Sequence, residues 1–188
     1  MASVVEIWNL ALISLGVDRV LDPLEESEGA RKCAAVYPIL RDDELSSHPW
    51  NFAINRKSLA LTPDEPEYGF ASSFQLPSDC LRVIELFPKY EYKVEGDRLL
   101  TNSGDASVMY IRQVTDPNAM PPYFRNLLSS RIRYELAYSL TDSATAIERF
   151  FALYETIRNK AKAIDAQEGT PTNLFSDRWI NARAGNVR

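Results

Sequence analysis

Cysteine and histidine are nearly missing from this chain, whose 188 residues hold two of the first and one of the second. Cys33 falls in a helical pattern and Cys80 closes the turn Pro77-Ser78-Asp79-Cys80. Neither a disulfide framework nor a thiolate metal site is therefore expected, and a reducing cytoplasm fits the pair best. A glycine-rich phosphate loop, a His-Glu-x-x-His pair and a Gly-x-Ser-x-Gly elbow are also missing, so we expect no cofactor, no metal and no catalytic residue. No run approaches the roughly 18 apolar residues that span a bilayer. The N-terminus places no basic region before its apolar positions, and Glu6 interrupts them, unlike a signal peptide. Bases are the minority, 21 against 26 acids for a net charge of −5, which argues against nucleic-acid binding over the whole surface.

What the chain does contain is enough apolar material, 45% of its residues, for one packed domain or a domain with a large insert. Ser3-Val4-Val5-Glu6 has the spacing of a capping box. Val4, Ile7, Trp8, Ala11, Leu12 and Leu15 then recur at three and four, the period of one helix face, and Gly16 follows as a stop. A second helix is predicted from Ser27 to Ser47, with Glu25, Glu26 and Glu28 at its positive end and a kink at Pro38. Ala30, Cys33, Ala34, Tyr37, Leu40 and Leu45 form its buried stripe. His48-Pro49 ends it.

From Trp50 the pattern changes. Trp50, Phe52 and Ile54 alternate with Asn51, Ala53 and Asn55, the period of a half-buried strand. Leu81 to Leu86, Tyr90 to Glu95, Leu99 to Thr101 and Val108 to Gln113 read as further strands, with Gly96-Asp97 as a tight turn. Short strands separated by turns predict an antiparallel sheet. Pro121-Pro122 opens a third helix through Phe124, Leu127, Leu128, Ile132, Leu136 and Leu140. Asp142 or Ser143 caps a fourth, whose apolar stripe holds Ile147, Phe150, Phe151, Tyr154, Ile157, Ala161 and Ile164. The short link makes these two helices antiparallel neighbours.

The candidate chemical groups read as structural. His48 lies in His-Pro-Trp at a helix end and has no nucleophile near it in sequence, so packing on Trp50 outweighs a role as base. The acidic groups Glu25-Glu26-Ser27-Glu28 and Asp42-Asp43-Glu44 suggest paired carboxylates, yet helix-start stabilisation and a solvated face explain them more simply. Tyr68, Phe70 and Phe74 lie among acids such as Asp64 and Glu67, which suits a sheet core and not a base-stacking platform. The segment from Gly169 differs. Arg178, Arg183 and Arg188 against Asp177 give it +2 and leave −7 on the rest. Leu174, Phe175, Trp179 and Ile180 punctuate it without helical period. Such an end reads as an anchor that orders on a partner.

Three passages resemble the tail tubular protein A family, the head-to-tail adaptors of short-tailed bacteriophages. They are Leu15-Gly16 with the acidic loop leading to Ser27-Glu28-Gly29-Ala30-Arg31, the junction Ser47-His48-Pro49-Trp50-Asn51-Phe52, and Met120-Pro121-Pro122-Tyr123-Phe124-Arg125. Their order and spacing run through nearly the whole chain. The resemblance implies a non-enzymatic virion component of the tail and neck, assembled in the host cytoplasm. Its homo-oligomer would be a dodecameric ring between the portal protein and a nozzle protein of the tail tubular protein B type. DNA would pass through the lumen without sequence-specific binding, and no membrane is involved. The resemblance further implies that the C-terminal extension docks on the portal, which assigns portal binding to Leu174, Phe175, Arg178, Trp179, Ile180, Arg183 and Arg188. Some relatives are credited with degrading cell wall or polysaccharide, which makes such an enzyme the alternative; a bacterial binding protein without a virion role is a third.

The expected architecture is α+β, a four-helix bundle with an inserted antiparallel β-rich region and an extended C-terminal tail. Residues 1–49 and 118–168 would form the bundle, 50–117 the insert and 169–188 the portal-docking extension.

Overall fold

A computed structural model describes residues 2–64 and 66–169. The chain begins with α1 (Val4–Ser14), and the capping box is formed: the Glu6 amide donates to Ser3 Oγ at 3.1 Å and the Ser3 amide to Glu6 Oε2 at 3.0 Å. Gly16 stops the helix at φ +76°, where its amide reaches the Ile13 carbonyl and that of Val17 the Leu12 carbonyl. Helix α2 (Glu28–Ser47) is capped by Ser27 and runs without a break through Pro38. Then come β1 (Ile54–Ser58), β2 (Ala60–Leu61), β3 (Ser72–Gln75), β4 (Cys80–Phe87), β5 (Tyr92–Glu95), β6 (Arg98–Thr101) and β7 (Ser107–Arg112). Helices α3 (Pro122–Thr141) and α4 (Ala144–Gln167) complete the order. Asp142 turns the corner between them at φ 51°, a left-handed conformation that aspartate tolerates, and Ser143 caps α4.

The strands form two antiparallel sheets, of order β1-β7-β4 and β2-β3-β6-β5. Strand β7 explains their placement, because its side chains alternate between two cores. Ile111 joins Trp8, Leu12, Leu45, Trp50, Phe124 and Leu128 among the helices. Val108 and Tyr110, on its other face, pack with Phe74, Leu86 and Leu99 between the sheets. The three-stranded sheet is thus shared between both cores.

This corrects the expected four-helix bundle with an insert. Among the described residues the fold is a mixed α/β architecture of four helices and two antiparallel sheets. The physical reason is the apolar face of the first sheet: Ile111, Leu81 and Ile84 fill space that a closed bundle would fill with a helix. Helix α3 packs extensively on α4, α1 and α2, while α1 and α2 barely meet. A second correction concerns Trp50 to Asn55. Asn51–Ala53 is a single 3-10 turn and the strand begins only at Ile54. Tyr68 is also not core but 87% exposed, although Phe74 is buried as expected.

A strand residue inside the helical core gives a direct test. Ile111→Ala removes a fully buried side chain and is expected to cost about 2–5 kcal/mol of unfolding free energy, read from urea denaturation as a lower midpoint with unchanged slope. A loss within a few tenths of a kcal/mol would show that the sheet is an appendage.

Candidate functional site

Where the ends of α2, α3 and α4 converge, one carboxylate collects donors from all sides. Asp165 has a side chain only 3% exposed. Its Oδ1 accepts from the Asn51 amide and from the Tyr123 hydroxyl, each at 2.9 Å. Its Oδ2 lies 3.3 Å from His48 Nε2. The Asn51 side-chain amide adds a 2.7 Å bond to the Asp165 carbonyl, which helps to satisfy the end of α4. Burial, the largest influence, holds His48 below its ordinary value although Asp165 pulls the other way. At neutral pH the imidazole is therefore uncharged, so its Nε2 meets the carboxylate as a polar contact in place of an ion pair. Its ring packs edge-on to Trp50 at 4.6 Å, as the sequence led us to expect. Burial and the neighbouring Asp165 raise the Tyr123 hydroxyl well above its ordinary value, so it stays protonated and able to donate.

A second acidic node lies further along the same three helices. Glu44 is 1% exposed and receives a hydrogen bond from the Tyr154 hydroxyl of α4. Arg131 of α3 approaches Glu44 Oε1 at 3.9 Å, and its guanidinium covers the rings of Tyr134 and Tyr154 at 5.4 and 5.5 Å. Burial outweighs these partners and raises the Glu44 carboxyl above its ordinary value. The Glu44 backbone carbonyl accepts from Trp50 Nε1 at 2.8 Å, which ties the node to the aromatic junction.

The other sequence candidates lie apart. Glu28 pairs with Lys32 on the outer face of α2 at 2.6 Å, and Glu26 faces Arg31 at 3.9 Å. Asp42 bonds Arg41 and accepts from Gln113 at 2.7 Å, while Asp43 faces Arg131 at 3.8 Å. Glu44 therefore departs from the solvated face expected for its cluster. Sequence reasoning missed Asp165, Tyr123, Tyr154 and Arg131. A signal for the first existed: Tyr154, Ala161 and Asp165 share one buried helix face. Leu174, Phe175, Arg178, Trp179, Ile180, Arg183 and Arg188 lie outside the described residues.

Chemically, both nodes hold helices together. His48 and Asp165 resemble a base with its orienting acid, but the aromatic rings of Trp50 and Tyr123 crowd them and each donor there is already spent. Among the described residues no cluster of His, Cys, Asp and Glu could hold a metal ion, and no helix is long and apolar enough to cross a membrane. The chain matches no family model and no curated protein.

Two measurements check the nodes. Asp165→Ala leaves the part-buried donors of Asn51 and Tyr123 without their shared acceptor, and is expected to cost about 1–3 kcal/mol in chemical denaturation. Because the Glu44 carboxyl is raised in the folded state, folding favours its protonated form. That contribution is full below the ordinary value of 4.5 and is lost as pH rises through the folded value. Glu44→Gln removes this loss, so the variant should gain stability relative to the parent as pH rises from 4.5 to 8; a constant difference would place Glu44 in an ordinary carboxylate environment.

Proposed function

We propose that this chain is a non-enzymatic virion protein, a head-to-tail adaptor whose copies form a dodecameric ring between the portal and the tail nozzle of a short-tailed bacteriophage. The observation that carries the reading is the distribution of exposed apolar side chains. Leu10 and Ile13 stand out from α1, Phe151 and Leu153 from α4, and Phe87 from β4. Large apolar groups on separate elements suit contacts in which each copy offers two different patches to two neighbours, as a ring requires. The aromatic junction that carries part of the resemblance is also where Asp165 and Glu44 join three helices, so a rigid body supports those patches. A net charge of −5 suits a lumen that must let DNA slide without holding it. His48 and Asp165 are occupied in joining α2, α3 and α4, which favours an adaptor over the degradative enzyme named above.

Sedimentation with purified portal particles tests this. The full chain is expected to co-sediment with portals and to appear as a ring in electron microscopy, and persistent failure under assembly conditions overturns the adaptor reading. Removal of residues 170–188 should abolish co-sedimentation while leaving thermal stability nearly intact, and Trp179→Ala should weaken it more than any single arginine change. His48→Ala and Asp165→Asn should leave any muralytic activity unchanged; a zymogram band lost in a folded variant would favour the enzyme instead.

A further inference from the structure

Beside Tyr154 a buried donor and a buried acceptor stand just apart, with no bond between them. Arg131 Nε and Glu44 Oε2 are both enclosed, and neither has a hydrogen-bond partner among the described residues. Arg131 Nε lies 3.9 Å from the other oxygen of Glu44, Oε1, so a shift of roughly 1 Å would close a hydrogen bond. The same guanidinium has two further acids within reach. Its Nη2 is 3.8 Å from Asp43 Oδ2 and 3.7 Å from Glu135 Oε2, both on the exposed rim of α2 and α3. Arg131 thus stands between three carboxyls at nearly equal distance and is hydrogen-bonded to none of them. Buried donors and acceptors are normally paired, so the gap calls for a cause.

The protonation of Glu44 supplies one. The groups that face its carboxyl are Tyr154 and Arg158 of α4, Arg131 of α3 and Asp43 of its own helix. Burial outweighs the two arginines and raises the carboxyl above its ordinary value. A protonated carboxyl offers a guanidinium no charge, and the rim acids then hold Arg131 outward. Once the carboxyl ionises it needs donors, because a carboxylate in a dry site is severely penalised without them. Arg158 is turned to Glu155 at 3.5 Å, which leaves Arg131 as the donor at hand. The rings of Tyr134 and Tyr154 lie 5.4 and 5.5 Å from its guanidinium and give a cation a surface to move across. Burial and Glu44 raise the Tyr154 hydroxyl well above its ordinary value, so it donates to Glu44 in either state.

We propose that Glu44 and Arg131 form a proton-operated switch between α2 and α3. With the Glu44 carboxyl protonated, Arg131 stands with Asp43 and Glu135 at the surface. When the proton leaves for solvent, Arg131 turns inward and donates a charged hydrogen bond to Glu44. The inward state fills as pH rises above the ordinary carboxyl value of 4.5 and through the folded value. The buried event is read outside, because Asp43 and Glu135 lose the counter-ion they share. A partner or neighbouring copy that meets this face meets more negative charge at higher pH, which makes the device regulatory.

Nuclear magnetic resonance on the full-length chain reads both halves of the switch. The Glu44 carboxyl carbon reports the proton, and the Arg131 Nε–H signal, assigned by its loss in Arg131→Lys, reports the guanidinium. From pH 4.5 to about pH 8 the two signals should move together with one midpoint. Glu44→Gln keeps the shape and removes the charge, so its Arg131 signal should stay at the low-pH position of the parent. At about pH 8 the Arg131 Nε–H should exchange with water roughly tenfold more slowly in the parent than in Glu44→Gln. Asp43→Asn with Glu135→Gln removes the outer hold and should move the common midpoint to lower pH. A Glu44 carbon that titrates while the Arg131 signal stays still overturns the switch, as does an Arg131 signal that moves equally in Glu44→Gln. A Glu44 midpoint at or below 4.5, or one unmoved in the double variant, also overturns it. Should Glu44→Gln fail to fold, agreement or disagreement of the two midpoints in the parent decides alone.

Discussion

Two buried acids, Asp165 of α4 itself and Glu44 of α2, add directional bonds to the apolar packing that holds helix α4 in place. Only part of its inner face is fully enclosed, and Asp165 is among the residues that are. A carboxylate taken from water without partners is severely penalised, so it stays only where donors converge on it. Asp165 meets that condition with Asn51, Tyr123 and His48, whereas Glu44 has the Tyr154 hydroxyl on one oxygen only and is favoured in its protonated form. These bonds are directional. They fix the rotation and height of α4 against α2 and α3, which apolar contact alone leaves freer to slide. The placement of Trp50, enclosed by His48, Tyr123 and Phe124, follows from that constraint.

Much of the local structure was legible because it depends on neighbours in sequence. Ser3 with Glu6, Gly16, Ser27 and Ser143 mark helix ends through bonds that span a few residues, and the Gly96 turn declares its hairpin in the same way. Errors arose where a distant residue decided the outcome. Trp50 to Asn55 alternates as a strand would, but the Asn51 amide is taken by Asp165, which lies 114 positions away, and the chain coils into a turn instead. The four-helix bundle failed for a related reason. Helical periodicity shows which face of a helix is buried but not whether a helix or a sheet will cover it, and Ile111 supplied part of the cover.

The candidate site was half visible. Glu44 continues the stripe of Ala30, Cys33, Tyr37 and Leu40 in α2, and its burial follows from that position despite its charge. Reading the acids by composition placed it in water; reading them by helix face would have placed it inside. His48 on Trp50 was legible because the two are adjacent, whereas the acid that orients it lies on another helix.

Strand β4 has one further effect. It is an edge strand, and its pairing with β7 slips between Cys80 and Arg82 and again between Val83 and Glu85. Each slip leaves a residue unpaired and twists the free margin out of the flat geometry that another strand could extend. Proteins gathered at high local density are prone to fuse through such margins into cross-β aggregates. The irregular β4 guards against that failure, so crowding can favour contacts between side chains over indiscriminate zippering of backbones.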